Sequence, residues 1–211
     1  MTMRGKLISF EGCEGSGKST KLKMLEQYLQ ERGVDYMMTR EPGGNPISEK
    51  IRALILDKEN DQMTAECEAL LYAAARAQLL KDKIEPALAA GKLVVCDRYI
   101  DSSLAYQGEA RGLGQEFVRK VNAFAFENYL PDCTIFLDIT PEAAFERKHG
   151  ADEDDRMEQE GIAFHKKVYE GYKKIALSEP DRFIAVDAVG EKDETFLRVL
   201  KVLQEKGIVS S

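Results

Sequence analysis

Two histidines in 211 residues, neither in a cluster of metal-ligand spacing, leave a His-bound transition-metal centre without its ligands. The four cysteines (Cys13, Cys67, Cys96 and Cys133) are scattered, with no C-x-x-C pair. That pattern predicts free thiols in a reducing cytoplasm rather than a disulfide framework. No apolar run approaches membrane-spanning length and the N-terminus has no signal-like apolar region, so a cytoplasmic protein with no membrane partner is expected. Positive charge is in deficit: the net charge of -7 offers no broad basic surface to neutralise a phosphate backbone, and nucleic acid is not an expected partner. Repeats, low-complexity tracts and linkers are also missing, which predicts one domain over residues 1–211 with a proper core.

What is present is concentrated first in Gly12-Cys13-Glu14-Gly15-Ser16-Gly17-Lys18-Ser19-Thr20, a match to G-x-x-x-x-G-K-[ST]. Lys6 to Phe10 before it reads as a short buried strand. Leu22, Leu25 and Leu29 behind it recur at helical spacing until Gly33. Glycines let the backbone curl so that N–H groups point inward, and the positive end of the following helix adds to that field. Lys18 is expected to reach the β- and γ-phosphates of a nucleoside triphosphate and Ser19 to ligate Mg²⁺. The whole segment 12–20 is the expected ATP-binding loop.

The rest of the chain alternates strand and helix. Strands are predicted over 34–39, 93–96, 134–138 and 183–186. Arg40-Glu41-Pro42-Gly43-Gly44 reads as a loop, and Pro46 and Ser48 precede a short helix pattern of Ile51, Leu54 and Ile55 that Asn60 and Asp61 break. Thr64 is an N-cap, with Glu66 and Glu68 placed against the dipole of a helix whose buried face carries Leu70, Ala73, Ala77, Leu80 and Ile84. Pro86 marks a break or restart. The run 93–96 ends in Asp97-Arg98-Tyr99, and a polar, glycine-bearing loop is expected from there to Gly114, then a helix through Phe117, Val121, Phe124 and Ala125. Thr140-Pro141 opens a further helix, Phe164 to Ile175 another, and Phe196 to Leu203 the last. This alternation predicts a three-layer α/β fold with a central five-stranded parallel sheet flanked by helices, whose ligands bind beyond the carboxyl ends of the strands.

At those ends Asp97 is placed to hold Mg²⁺ opposite Ser19. The Arg98 fork can bridge two phosphate groups. Glu14 inside the phosphate loop would repel a triphosphate unless it faces elsewhere, and a sugar hydroxyl suits it. Tyr72 and Arg76 form an i, i+4 pair, a ring for stacking beside donors for a carbonyl; for Tyr72 alone a core position is an equal reading.

Together, Phe10 to Thr20, Thr39 to Gly44, Asp97-Arg98-Tyr99, Asp101-Ser102-Ser103, Ala105-Tyr106-Gln107-Gly108, Leu71-Tyr72 with Arg76, and Asp155-Arg156-Met157-Glu158 resemble the thymidylate kinase family over essentially the whole chain. The resemblance implies a P-loop kinase fold with a mobile lid at about 147–160, ATP and Mg²⁺ as donor and cofactor, dTMP as acceptor, and a homodimer. It further implies that Glu14 binds the 3′-hydroxyl, Tyr72 stacks on thymine and Arg76 donates to O4. Ser103 would read the N3 edge, Tyr106 would lie beneath the sugar with Gln107 beside it, and Arg40 and Arg98 would hold the monophosphate. Pro42 is expected after a cis peptide bond, and the loop 188–192 near adenine.

The acceptor phosphate is already a nucleophile at neutral pH, so no general base is needed and the scarcity of histidine is no objection. Lys18, Arg98 and a lid cation are the expected catalytic residues, Arg147 first and Lys148 second, with Arg156 at another basic lid position. The rival readings are a kinase for another nucleoside monophosphate or for a deoxynucleoside, with Glu41 cast as base, and a P-loop ATPase switch. For the switch, Asp187-Ala188-Val189-Gly190 comes too late in the chain and no N-K-x-D is present.

Overall fold

Five short strands, β1 (Leu7–Glu11), β2 (Tyr36–Arg40), β3 (Leu93–Asp97), β4 (Cys133–Asp138) and β5 (Phe183–Asp187), form one parallel sheet in the order β2-β3-β1-β4-β5. The computed structural model describes residues 4–148, 155–157 and 159–210, with the backbone alone at 148. The helices are α1 (Lys18–Glu31), α2 (Pro46–Leu56), α3 (Ala65–Leu79), α4 (Glu85–Ala89), α5 (Ile100–Ser103), α6 (Gln115–Val121), α7 (Ala123–Asn128), α8 (Pro141–Lys148), α9 (Ile162–Ser178) and α10 (Lys192–Glu205). The expected five-stranded parallel α/β architecture is what the chain adopts.

Alternation along β1 and β4 divides the core. Ile8, Phe10, Ile135 and Leu137 pack against Leu22, Leu25 and Leu29 of α1 and Val199 and Leu203 of α10. On the opposite face Leu7 meets Leu79, Ile84 and Leu88, and Phe136 meets Val168 and Tyr172, the last ring stacked at 5.0 Å between centroids. Truncating a fully buried leucine such as Leu25 to alanine removes roughly 2–5 kcal/mol.

Three local expectations differ from the fold. The stretch after β3 is not a loop: α5 runs directly into a π-helical segment, Leu104–Ala110. Its Leu104, Ala105 and Tyr106 are buried against α9, so tertiary packing supplies the helix that the serines and Gly108 conceal. The helix expected through Phe117 and Ala125 is two, broken at Asn122, whose buried side chain is drawn toward Arg76. Leu70 is exposed on α3; Glu68 is in the first turn of that helix as expected, and is also buried. Thr64 does cap α3, accepting from Cys67 N. A π-helical turn, Leu80–Ile84, carries the chain from α3 into α4, and Pro86 sits in the first turn of α4.

Candidate active site

The carboxyl ends of β2, β3 and β1 stand level. Register pairs Arg40 with Asp97 and Asp97 with Phe10, so the segments leaving these three strands open into one cleft. Ten of the expected site residues line it: Glu14, Lys18, Ser19, Arg40, Tyr72, Arg76, Asp97, Arg98, Tyr106 and Gln107.

The phosphate loop turns on glycines for steric reasons. Gly15 and Gly17 adopt φ 77° and 85°. A β-carbon at Gly15 would lie 2.3 Å from the Ala144 carbonyl oxygen of α8, and one at Gly12 would lie 2.7 Å from Ser16 Oγ. Cys13 is buried in the loop, which pushes its thiol up to about 12 and leaves it unreactive. Lys18 Nζ stands 3.6 Å from Asp97 Oδ1, a buried oxygen without a hydrogen-bond partner. That unsatisfied carboxylate oxygen, with Ser19 also in the cleft wall, is a donor set suited to a hard cation that keeps phosphate and water ligands. Among the described residues there is no all-protein cluster of three or more His, Cys, Asp or Glu for a metal.

Arg98 has φ 62°, the one positive φ outside glycine among the described residues, and its side chain is fixed from three sides. Nη2 pairs with Glu14 Oε1 at 2.5 Å, Nη1 donates to Tyr172 OH at 3.2 Å, and the guanidinium lies 5.3 Å over the Tyr106 ring. Behind it, buried Glu11 accepts from Tyr99 N, Ser102 Oγ and Tyr172 OH at 2.6–2.8 Å. Burial pushes the Glu11 carboxyl up to about 7, while the Arg98 charge opposes the rise.

At the other end, Glu68, Tyr72 and Arg76 recur every four residues and form one stripe of α3. Arg76 is fully buried. Its guanidinium binds Glu41 Oε2 at 2.6 Å, Asn122 Oδ1 at 2.6 Å and Ser103 Oγ at 3.0 Å. Burial pushes the Glu41 carboxyl up to about 6, and Arg76 opposes it. The expected cis bond is present at Glu41–Pro42. Ser103 is thus turned to Arg76 and is not in the cleft wall. Gln107 is, and its Nε2 donates to Glu68 Oε1 at 2.9 Å. Arg40 lies at the rim, paired with Glu49 at 2.8 Å.

Arg147 and Arg156, the expected lid cations among the described side chains, are not in the cleft wall. Arg147 donates to the Ala188 carbonyl at 2.8 Å, which ties α8 to the loop after β5. Arg156 is buried and clasps Glu68 at 2.6 Å and the Ile55 carbonyl at 2.8 Å. The Lys148 side chain and half of the expected lid, 149–154 and 158, lie outside the described residues. Conversely, the cleft includes Arg52, whose Nη1 donates to the Pro42 carbonyl, together with Leu56 and Met157. A lone arginine on an amphipathic helix carries no signal that it faces a ligand.

Residues 10–198 match the family model described as thymidylate kinase. Among curated relatives, a thymidylate kinase of Lactobacillus helveticus (strain DPC 4571) is 51% identical over 97% of this chain and 98% of its own. One of Geobacillus thermodenitrificans (strain NG80-2) is 52% identical over 92% and 87%, and one of Caldanaerobacter subterraneus 48% over 96% and 97%. With a phosphate loop at one end of the cleft and an aromatic–arginine pocket at the other, this chain belongs to the thymidylate kinase family.

Proposed function

We propose that this chain transfers the γ-phosphoryl group of ATP to dTMP, giving dTDP and ADP for dTTP synthesis in the cytoplasm. The observation that carries the reading is that Lys18, Asp97 and Arg98 share one cleft with Tyr72 and Arg76, so phosphates and a base have separate places in one space. The acceptor phosphate carries about -1.5 to -2 charges at pH 7 and attacks without a general base. Catalysis then rests on alignment and on cations around the transferring group. Lys18 reaches the donor phosphates, and Arg98 bridges donor and acceptor. Ser19 and Asp97 would hold Mg²⁺, which would neutralise charge on the transferring phosphates.

Glu14, paired with Arg98, is positioned for a sugar hydroxyl, above the floor made by Tyr106. Tyr72 offers its ring to thymine and Arg76 a donor to O4. Arg40 and Arg52 add positive charge on the monophosphate side. For Arg147 to meet the transferring group, its bond to the Ala188 carbonyl must break. Glu41 Oε2 is committed to Arg76 and Oε1 is buried without a hydrogen-bond partner, so the nucleoside-kinase reading is separated by offering thymidine as acceptor.

No helix among the described residues is long and apolar enough to cross a membrane. A homodimer is part of the reading, supported by exposed Ile47 and Leu54 of α2, Leu70 of α3 and Phe124 of α7. Light scattering that returns a monomer mass at micromolar concentration removes it. The activity is tested by ADP release from ATP and Mg²⁺ with dTMP, dUMP, dCMP, dGMP, dAMP and thymidine offered separately. Turnover greatest with dTMP supports the proposal; preference for another acceptor discards the base assignments.

A further inference from the structure

Glu68 is almost fully buried, yet its carboxylate meets four donors. Gln107 Nε2 lies at 2.9 Å, Arg111 Nε at 3.2 Å and Nη2 at 3.0 Å, and Arg156 Nη2 at 2.6 Å. An ionised carboxylate only accepts hydrogen bonds, so the amide facing it must present nitrogen. With Nε2 directed to Glu68, the carbonyl oxygen is the end of the Gln107 amide that faces the cleft this residue lines. An inverted amide would set two acceptors against each other in a buried site. Burial alone would push the Glu68 carboxyl up, but the hydrogen bonds and charge of Arg111, with Gln107 and Arg156, hold it below its ordinary value.

We propose that Glu68 is a positioning residue for base selection: by fixing the Gln107 amide it presents a hydrogen-bond acceptor to the base edge, favouring pyrimidines with an N3–H. Thymine and uracil carry that donor. Cytosine has an unprotonated N3, which meets the same carbonyl acceptor to acceptor. This rests on the dTMP reading above. Arg111 and Arg156 keep Glu68 ionised and in place, and Arg111 is itself braced by Glu160 and by the Phe164 ring at 4.6 Å. The selection belongs to Gln107, and its direction to Glu68.

The test is calorimetric affinity of the full chain for dTMP, dUMP and dCMP in wild type, Glu68→Gln, Gln107→Ala and the double variant. Glu68→Gln keeps the shape but lets the amide face either way. It should narrow the preference for dTMP over dCMP by about tenfold or more, since about 1.4 kcal/mol of a misdirected hydrogen bond is a factor of ten. The dTMP-to-dUMP ratio should stay within about twofold, because both bases carry N3–H. Gln107→Ala should narrow the dCMP preference similarly, with no further narrowing in the double variant. If Glu68→Gln does not fold, Glu68→Asp keeps the charge between the arginines while drawing back from Gln107, and the same narrowing is expected. An unchanged dTMP-to-dCMP ratio in the folded variant, or an equal loss for all three nucleotides, overturns the proposal. A wild-type chain that fails to bind dTMP overturns both this and the activity on which it rests.

Discussion

Glu11 sits one residue before the phosphate loop, buried, with its carboxyl pushed up to about 7 from an ordinary 4.5, mainly by burial. Between those values the folded chain holds a proton that the unfolded chain has lost. Its contribution to stability is therefore largest below about pH 4.5, falls as pH rises, and levels off above about 7. Measured by urea unfolding, the stability of wild type relative to Glu11→Gln should decline by roughly 3 kcal/mol across that window. A difference independent of pH contradicts the assignment. Single residues were legible where chemistry is local. Lys18 and Ser19 follow from a contiguous motif, Asp97 from its place at the end of an apolar run. Glu68 was not legible, because its partners Gln107, Arg111 and Arg156 lie 39, 43 and 88 residues away. Nor was the burial of Ser103 behind Arg76, which depends on how α5 packs against α3.

Among elements, α9 packs closely on the π-helical segment 104–110 beside the site. A β-carbon at Gly171 would lie 2.9 Å from the Ala105 Cα. Alanine is worth about 1 kcal/mol over glycine in an open helix. Here the crowding should reverse that sign, and Gly171→Ala should destabilise by about 1–3 kcal/mol. A denaturation midpoint equal to or above wild type contradicts it. The segment bears Tyr106 and Gln107, so the same variant should also weaken acceptor binding. The strands and long helices were readable from apolar runs and helical spacing. The 100–110 helix was hidden because its serines and Gly108 favour turns, and burial against α9 overrides that preference. Asn122 likewise interrupts a good apolar periodicity to satisfy Arg76, a demand invisible along the chain.

On the scale of the whole molecule, a net charge of -7 coexists with an anion-binding cleft because arginines are gathered where three strands end. The sheet order places β1 between β3 and β4, and it is this order that sets Lys18 beside Asp97. Alternating strands and helices predicted a parallel sheet with its ligands beyond the strand ends; they predicted neither the strand order nor which arginines turn inward, since α2 contributes Arg52 through its packing on α3. The reaction proposed for this cleft is phosphoryl transfer between two nucleotides. ³¹P NMR of ATP, Mg²⁺ and dTMP with the full chain tests it most directly. The ATP γ resonance should give way to the β resonance of dTDP in step with ADP, and Lys18→Ala should abolish the change. Inorganic phosphate as the product, or transfer undiminished in Lys18→Ala, would contradict it.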